Sequence, residues 1–170
     1  MDLKSHIRSV PDFPRAGINF YDITTLLRNP QGFQAAIDRL ATPYLGPHID
    51  LVIGIESRGF ILGAPVAQRI GAGFIPIRKP GKLPAKSVRE TYDLEYGTDA
   101  LEIHEDAVSR GQRVLIVDDV LATGGTARAA ATLVKTLGGN LHGLAFLIEL
   151  LFLDGKSKLE GEQVFSVLQY

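Results

Sequence analysis

The chain has 170 residues, 18 Lys and Arg against 19 Asp and Glu, a formal net charge of −1 and no cysteine. Zero Cys excludes disulfides, iron–sulfur clusters and Cys-ligated zinc, and the near-neutral balance argues against a dedicated nucleic-acid binder. With 45% hydrophobic and 22% charged residues, this length suits one globular domain that buries roughly 70% of its unfolded surface. Met1 to His6 contains no apolar core of a signal peptide. The greasiest stretch, residues 144–153, is interrupted by Glu149 and is too short for a membrane span. A cytoplasmic protein with no membrane and no nucleic-acid partner is expected.

In chain order, Asn29-Pro30 reads as an N-cap followed by a first-turn proline. Phe33, Ala36, Ile37 and Leu40 then lie on one helical face. Leu51-Val52-Ile53-Gly54-Ile55 is a continuous apolar run, as in a strand covered on both faces. Phe60 to Ile70 reads as a buried helix that Pro65 should bend or start late. Phe74 to Ile77 and Val114 to Val117 are further buried strands. Ala130, Leu133, Val134 and Leu137 repeat the helical spacing, Gly138-Gly139 stops that helix, and Leu144 to Leu150 is a fourth strand. Strands alternating with helices predict an α/β fold, with a central, mostly parallel sheet flanked by helices. Residues 81–110 do not fit the alternation, and they predict a long hairpin or flap outside the core.

The most informative stretch is Val114-Leu115-Ile116-Val117-Asp118-Asp119-Val120-Leu121-Ala122-Thr123-Gly124-Gly125-Thr126. It reads as a buried strand ending in two carboxylates, followed by a small-residue turn that opens a helix. The turn Ala122 to Thr126 can aim backbone N–H groups and two hydroxyls at one point beside a positive helix end, which suits a phosphate monoester. It is not a P-loop, because no Gly-Lys-Ser/Thr follows. Asp118 and Asp119 would repel a bare anion, so sugar hydroxyls or a metal ion are their natural partners. Together these describe a ribose-5-phosphate pocket. From Arg78 to Arg89 there are five basic residues and no acid, and their place after a buried strand makes Arg78, Lys79 and Lys82 candidates for binding an anion. His6, His48, His104 and His142 are scattered without ligand spacing.

The acid pair followed by Ala-Thr-Gly-Gly-Thr resembles the phosphoribosyl-pyrophosphate (PRPP) motif of type I phosphoribosyltransferases. Pro11-Asp12-Phe13-Pro14, Glu56-Ser57-Arg58-Gly59-Phe60, Arg78-Lys79-Pro80-Gly81-Lys82-Leu83-Pro84 and Tyr92-Asp93-Leu94-Glu95-Tyr96-Gly97 are similar, in that order, to the adenine-using branch. The resemblance implies that adenine and PRPP react to give AMP and pyrophosphate, with inversion at the anomeric carbon. It also implies Mg²⁺ bound mainly through PRPP rather than by a protein ligand set, and a homodimer. It implies a single domain, with residues 1–28 as a hood over the base and residues 81–110 as an active-site flap.

Residue by residue, the resemblance makes Glu56, Ser57 and Arg58 a pyrophosphate loop with a cis Glu56–Ser57 bond, and gives Arg58 a catalytic role. It implies that the anion at Arg78, Lys79 and Lys82 is pyrophosphate. Asn19, Phe20, Tyr21, Val120 and Leu121 would bind adenine. Tyr21 departs from the pattern, since Arg is common at that position. In enzymes acting on 6-oxopurines an acid stands three residues after the acidic pair, and here that position is Ala122. The catalytic proton carrier implied instead is Glu95, within a segment from Glu90 to Asp106 that holds seven acids.

Overall fold

In the computed structural model, which describes residues 1–94 and 96–170, the chain folds as an α/β domain. Two short strands, β1 (Arg8–Val10) and β2 (Phe20–Asp22), form an antiparallel pair ahead of α1 (Thr24–Leu27) and α2 (Pro30–Ala41). Then follow β3 (Leu51–Ile55), α3 (Arg58–Ile70), β4 (Gly73–Ile77) and the hairpin strands β5 (Ser87–Asp93) and β6 (Thr98–His104). The chain continues through β7 (Arg113–Leu121), α4 (Gly125–Thr136), β8 (Asn140–Glu149) and β9 (Val164–Gln169).

Among the described residues, five strands make one sheet in the order β4-β3-β7-β8-β9, and every pairing in it is parallel. Alternation along β7 shows how both faces are buried. Val114 and Ile116 pack with α4, the β5–β6 hairpin and Phe146, whereas Leu115 and Val117 pack with residues of α2 and α3 such as Leu40 and Leu62. A strand covered on both sides needs apolar residues at successive positions, which is why the sheet was legible as continuous runs.

The helix ends follow local chemistry. The Asn29 side chain accepts from the Gly32 N–H at 2.8 Å, with Pro30 at the first helical position. After α4, Gly138 takes φ +85°, and the N–H groups of Gly138 and Gly139 close onto the carbonyls of Lys135 and Val134 at 3.0 Å.

Three expectations are corrected, and three strands were not expected. Helix α3 begins at Arg58 rather than near Phe60 and runs through Pro65, so Arg58 is its first helical residue. The two acids do not end their strand, because β7 continues through Leu121 and pairs with β8 as far as Glu149. Strands β1 and β2 are three residues each, too short to show a pattern, and the mostly apolar β9, Val-Phe-Ser-Val-Leu-Gln, was not among the expected strands. The hairpin is not outside the core: its own Leu101 and Ile103, on β6, are fully buried. Its register to the sheet is held by a two-way backbone bridge between Arg78 and Glu102. The Glu102 carboxylate also accepts from the Gly81 N–H at 2.6 Å and the Ser87 hydroxyl at 3.1 Å.

Candidate active site

The connection from β3 through α3 leads to β4 on one side, and the next sheet strand, β7, lies on the other side of β3. Such a reversal leaves a crevice at the carboxyl ends of the two diverging strands, where open α/β sheets bind ligands. A cavity of about 420 Å³ occupies that place.

Its floor is built by the ends of β3 and β7. The Glu56–Ser57 peptide is cis, and Ser57 stands at the N-cap of α3. Arg58 reaches across to β7, where its Nε donates to the Asp119 carboxylate. Asp119 is only 6% exposed, so this pairing satisfies a carboxylate that would otherwise be stranded. Beside it, the Asp118 carboxyl is held well above the usual carboxylate range by burial and by the adjacent Asp119 charge. Its Oδ1 accepts from the Asp119 N–H at 2.9 Å. Room for Asp118 depends on Gly59, where a Cβ would lie 2.8 Å from that same Oδ1.

The second wall is the turn from β7 to α4. Gly124 sits at the N-cap with φ +88°, a conformation that glycine adopts without strain. Ala122, Thr123, Gly124, Thr126 and Ala127 line the cavity, at the helix end whose first N–H groups lack intrahelical acceptors. The Thr126 hydroxyl donates to the Tyr92 hydroxyl at 3.3 Å. Lys79 Nζ also donates to Tyr92, at 3.4 Å, and pairs with Asp99. The hairpin is thereby tied to the turn and to the cavity's cation.

The third wall comes from β2 and the residues before it. Ile18, Asn19, Phe20 and Tyr21 line the cavity, and the Arg58 guanidinium lies 5.7 Å over the Phe20 ring. Phe13 meets Phe20 edge-on at 5.3 Å, and Tyr21 packs on Tyr170 at 4.1 Å between centroids. The segment is fastened at Asp22, whose pKa is lowered to about 2 by hydrogen bonds from Thr24 and then by Arg8, 2.6 Å away.

The phosphoribosyl transferase domain family matches residues 22–164. An adenine phosphoribosyltransferase of Acidobacterium capsulatum is 61% identical over 168 residues, covering 99% of this chain and 93% of the relative. One from Solibacter usitatus is 62% identical over 169 residues, covering 99% and 98%. The crystal structure of the Thermoanaerobacter pseudethanolicus adenine phosphoribosyltransferase superposes with a TM-score of 0.97 at 53% identity, covering 99% of this chain and 98% of that one. The Saccharomyces cerevisiae adenine phosphoribosyltransferase, solved in complex with an imino-altritol bisphosphate and adenine, matches at 0.93 and 44% identity, covering 98% and 97%. The chain belongs to the adenine phosphoribosyltransferase family.

Most of the residues singled out for a phosphoribosyltransferase site meet at this one cavity. Asn19, Phe20, Tyr21, Glu56, Ser57, Arg58, Lys79, Asp118, Asp119, Val120, Leu121, Ala122, Thr123, Gly124 and Thr126 all line it. Arg78 stands behind the wall, its Nε donating to Glu56 Oε1 at 2.8 Å and its guanidinium 6.0 Å from the Phe60 ring. Lys82 and Gly125 are not among the lining residues. The Glu95 assignment lies outside the described residues. Sequence reasoning missed Ile18, Ala127, Leu150 and Leu153 as lining residues. Leu150 and Leu153 follow β8 directly, so their position after the carboxyl end of a parallel strand was the signal that could have found them.

Proposed function

We propose that the chain transfers the 5-phosphoribosyl group of PRPP to adenine, breaking the anomeric C–O bond to pyrophosphate and forming the bond to the base nitrogen, with AMP as product. The observation that carries this reading is the convergence of a phosphate-type turn, an acid pair bridged to Arg58 through the buried Asp119, and an aromatic wall around one cavity. The names of the relatives support the same substrates.

In this reading the turn Ala122 to Thr126 takes the 5′-phosphate through backbone N–H groups and hydroxyls. Asp118 and Asp119 accept hydrogen bonds from the ribose hydroxyls. A partly buried carboxyl with a raised pKa is relieved when donors arrive, so sugar binding compensates the cost of placing Asp118 there. Arg58 and Lys79 supply positive charge beside the leaving pyrophosphate, and their present partners, Asp119 and Asp99, hold both side chains in place before substrate arrives. Arg78 orients Glu56 from behind the wall. Mg²⁺ would be held mainly through PRPP itself rather than by a protein ligand set. The oxygen-rich donors on the wall, the two Asp carboxylates and the Thr123 hydroxyl, fit its preference for oxygen and retained water. When bound, the ion neutralises charge on the pyrophosphate.

Residues 1–28 act as the hood of this single domain and residues 81–110 as its flap. Adenine sits between Phe20 and the apolar side of Val120, Leu121 and Leu150. The Asn19 backbone carbonyl accepts from the exocyclic amine of adenine and repels a 6-oxo group. Glu95 takes the proton released from the base nitrogen. The chain works as a homodimer in the cytoplasm; among the described residues, no helix is long and apolar enough to cross a membrane.

The deciding experiment follows pyrophosphate release with PRPP and Mg²⁺ while adenine, hypoxanthine and guanine are compared. Release with adenine at least ~10³-fold faster in kcat/KM than with either 6-oxopurine is expected, because a site built for an amine leaves polar groups unpaired with an oxo group. Equal rates with hypoxanthine would overturn the base assignment. PRPP binding with no turnover on any base would make the chain a PRPP-binding regulator. For the proton step, Glu95→Gln should lower kcat by about 10²–10⁴-fold while leaving the adenine KM within a few fold. An unchanged kcat would remove Glu95 from the reaction.

A further inference from the structure

Beyond β8 the chain does not simply leave the site. After the 3-10 turn Leu151–Leu153, Asp154 adopts a left-handed conformation with φ 50°, and a second 3-10 segment, Gly155–Leu159, begins. This reversal brings the Gly155 backbone against the turn whose residues Ala122 and Gly124 line the cavity. The contact is reciprocal and admits no side chain on either partner. A Cβ at Gly155 would collide with the Ala122 carbonyl oxygen and come within 3.0 Å of Leu121 Cδ1, whereas a Cβ at Gly124 would collide with the Gly155 carbonyl oxygen. Gly155 itself is buried.

The segment that presents Gly155 is pinned next to this contact. Lys156 Nζ lies 3.3 Å from Oε2 of Glu149, a carboxylate only 3% exposed at the end of β8. The Gln169 side-chain amide donates to the same oxygen at 3.3 Å. Leu159, at the far end of the segment, is buried in the core shared with α4. None of these residues lines the cavity, and the reaction chemistry uses none of them.

We propose that Gly155 is a positioning residue for the phosphate-binding turn, and that the Glu149–Lys156 pair holds it there. This rests on the reading that residues 122–126 take the 5′-phosphate. Backbone N–H groups bind a phosphate well only if they already point to one spot. A turn backed by another stretch of backbone is confined from behind. A methyl group at Gly155 would displace the Ala122 carbonyl and re-aim the N–H groups that follow it. Gly155 has no positive φ, so alanine is conformationally allowed there and the effect would come from the collision alone.

The test uses the full chain. Calorimetry with ribose 5-phosphate reads the phosphate site without any base, and steady-state kinetics read KM for PRPP and for adenine separately. In Gly155→Ala the Kd for ribose 5-phosphate and the KM for PRPP should rise by about tenfold or more, with the adenine KM at saturating PRPP within about twofold. Lys156→Met adds no bulk near the turn and removes only the pin, and it should raise both phosphate readouts about threefold. Gly46→Ala, where the new Cβ meets nothing within 4 Å, is the control and should match wild type.

Wild-type phosphate readouts in a folded Gly155→Ala overturn the proposal. If that variant does not fold, unchanged readouts in Lys156→Met overturn it. A loss that falls equally on adenine and PRPP marks general damage and also overturns it. A wild-type chain that binds ribose 5-phosphate but does not use adenine would refute the base assignment and leave the brace standing. One that binds neither ribose 5-phosphate nor PRPP would take the phosphate reading and the brace down together.

Discussion

Replacing Arg58 by alanine should lower kcat/KM for PRPP by about 10²–10³-fold, the range found when one preorganised charge-stabilising donor is removed from an active site. Two effects combine. On the proposed reading the leaving pyrophosphate loses a cation at the N-terminus of α3, and Asp119 loses its hydrogen-bond donor. Arg58 Nε donates to Asp119, and the guanidinium also lies over Phe20, so one side chain connects the start of α3, the acid pair and the aromatic wall. Folding stability should fall too. Asp119 is buried at 6% exposure and would lose the donor that satisfies its carboxyl group, a loss worth about 1–3 kcal/mol. The Arg58 side chain is 44% exposed, so solvent screens part of this and the lower end is expected. Arg58→Lys restores the charge without the planar fork and should recover only part of the loss. Kinetics with PRPP and thermal melts of the same samples check both effects, and a full-rate Arg58→Ala would exclude the residue from the reaction.

Asp118→Asn should move activity and stability in opposite directions. Burial and the neighbouring Asp119 raise the Asp118 pKa in the folded chain, so over the pH range between the unfolded and folded values the folded state keeps a proton that the unfolded chain has released. Ligand-free stability therefore falls as pH rises through that range, and the penalty is complete above the folded value. Asn carries no charge to penalise, and its Oδ1 can still accept from the Asp119 N–H as Asp118 does at 2.9 Å. The variant should match wild type near pH 4 and melt higher at neutral pH, by roughly 2–4 °C for each 1 kcal/mol relieved. Catalysis should drop by about 10–100-fold in kcat/KM for PRPP, the value of a hydrogen bond from a ribose hydroxyl to a charged acceptor. Melts from pH 4 to 8 read the first effect and initial rates the second. A melting difference that does not change with pH would show that Asp118 carries no buried-charge penalty.

The hairpin shows where sequence reading reached its limit. Its two strands have the alternation of a ribbon with a polar face, and nothing local tells that Leu101 and Ile103 are fully buried against α4 and the sheet. The same hairpin supplies Tyr92 and Asp99, which hold Lys79 at the cavity. A run of basic residues without acids therefore looked like free positive charge, although carboxylates distant in sequence pair with three of them: Arg78 with Glu56, Lys79 with Asp99 and Arg89 with Glu102.

The amino-acid sequence by itself determined what depends on neighbours along the chain. It determined the doubly covered strands, through continuous apolar runs, and the Asn29-Pro30 start of α2 and the glycine end of α4, through local hydrogen bonding. It also determined the turn from Ala122 to Thr126, because the phosphate-type geometry needs only small residues and a following helix. Only the tertiary structure decided which side of β3 the strand β7 takes, and with that the crevice. The crevice in turn places Arg58 on Asp119 across 61 positions of sequence, Tyr21 beside Tyr170, and Gly155 behind Gly124. Such contacts have no period and no fixed spacing. They arise when the sheet buries both faces and brings the carboxyl ends of its strands together, so they become visible only once the chain has closed on itself.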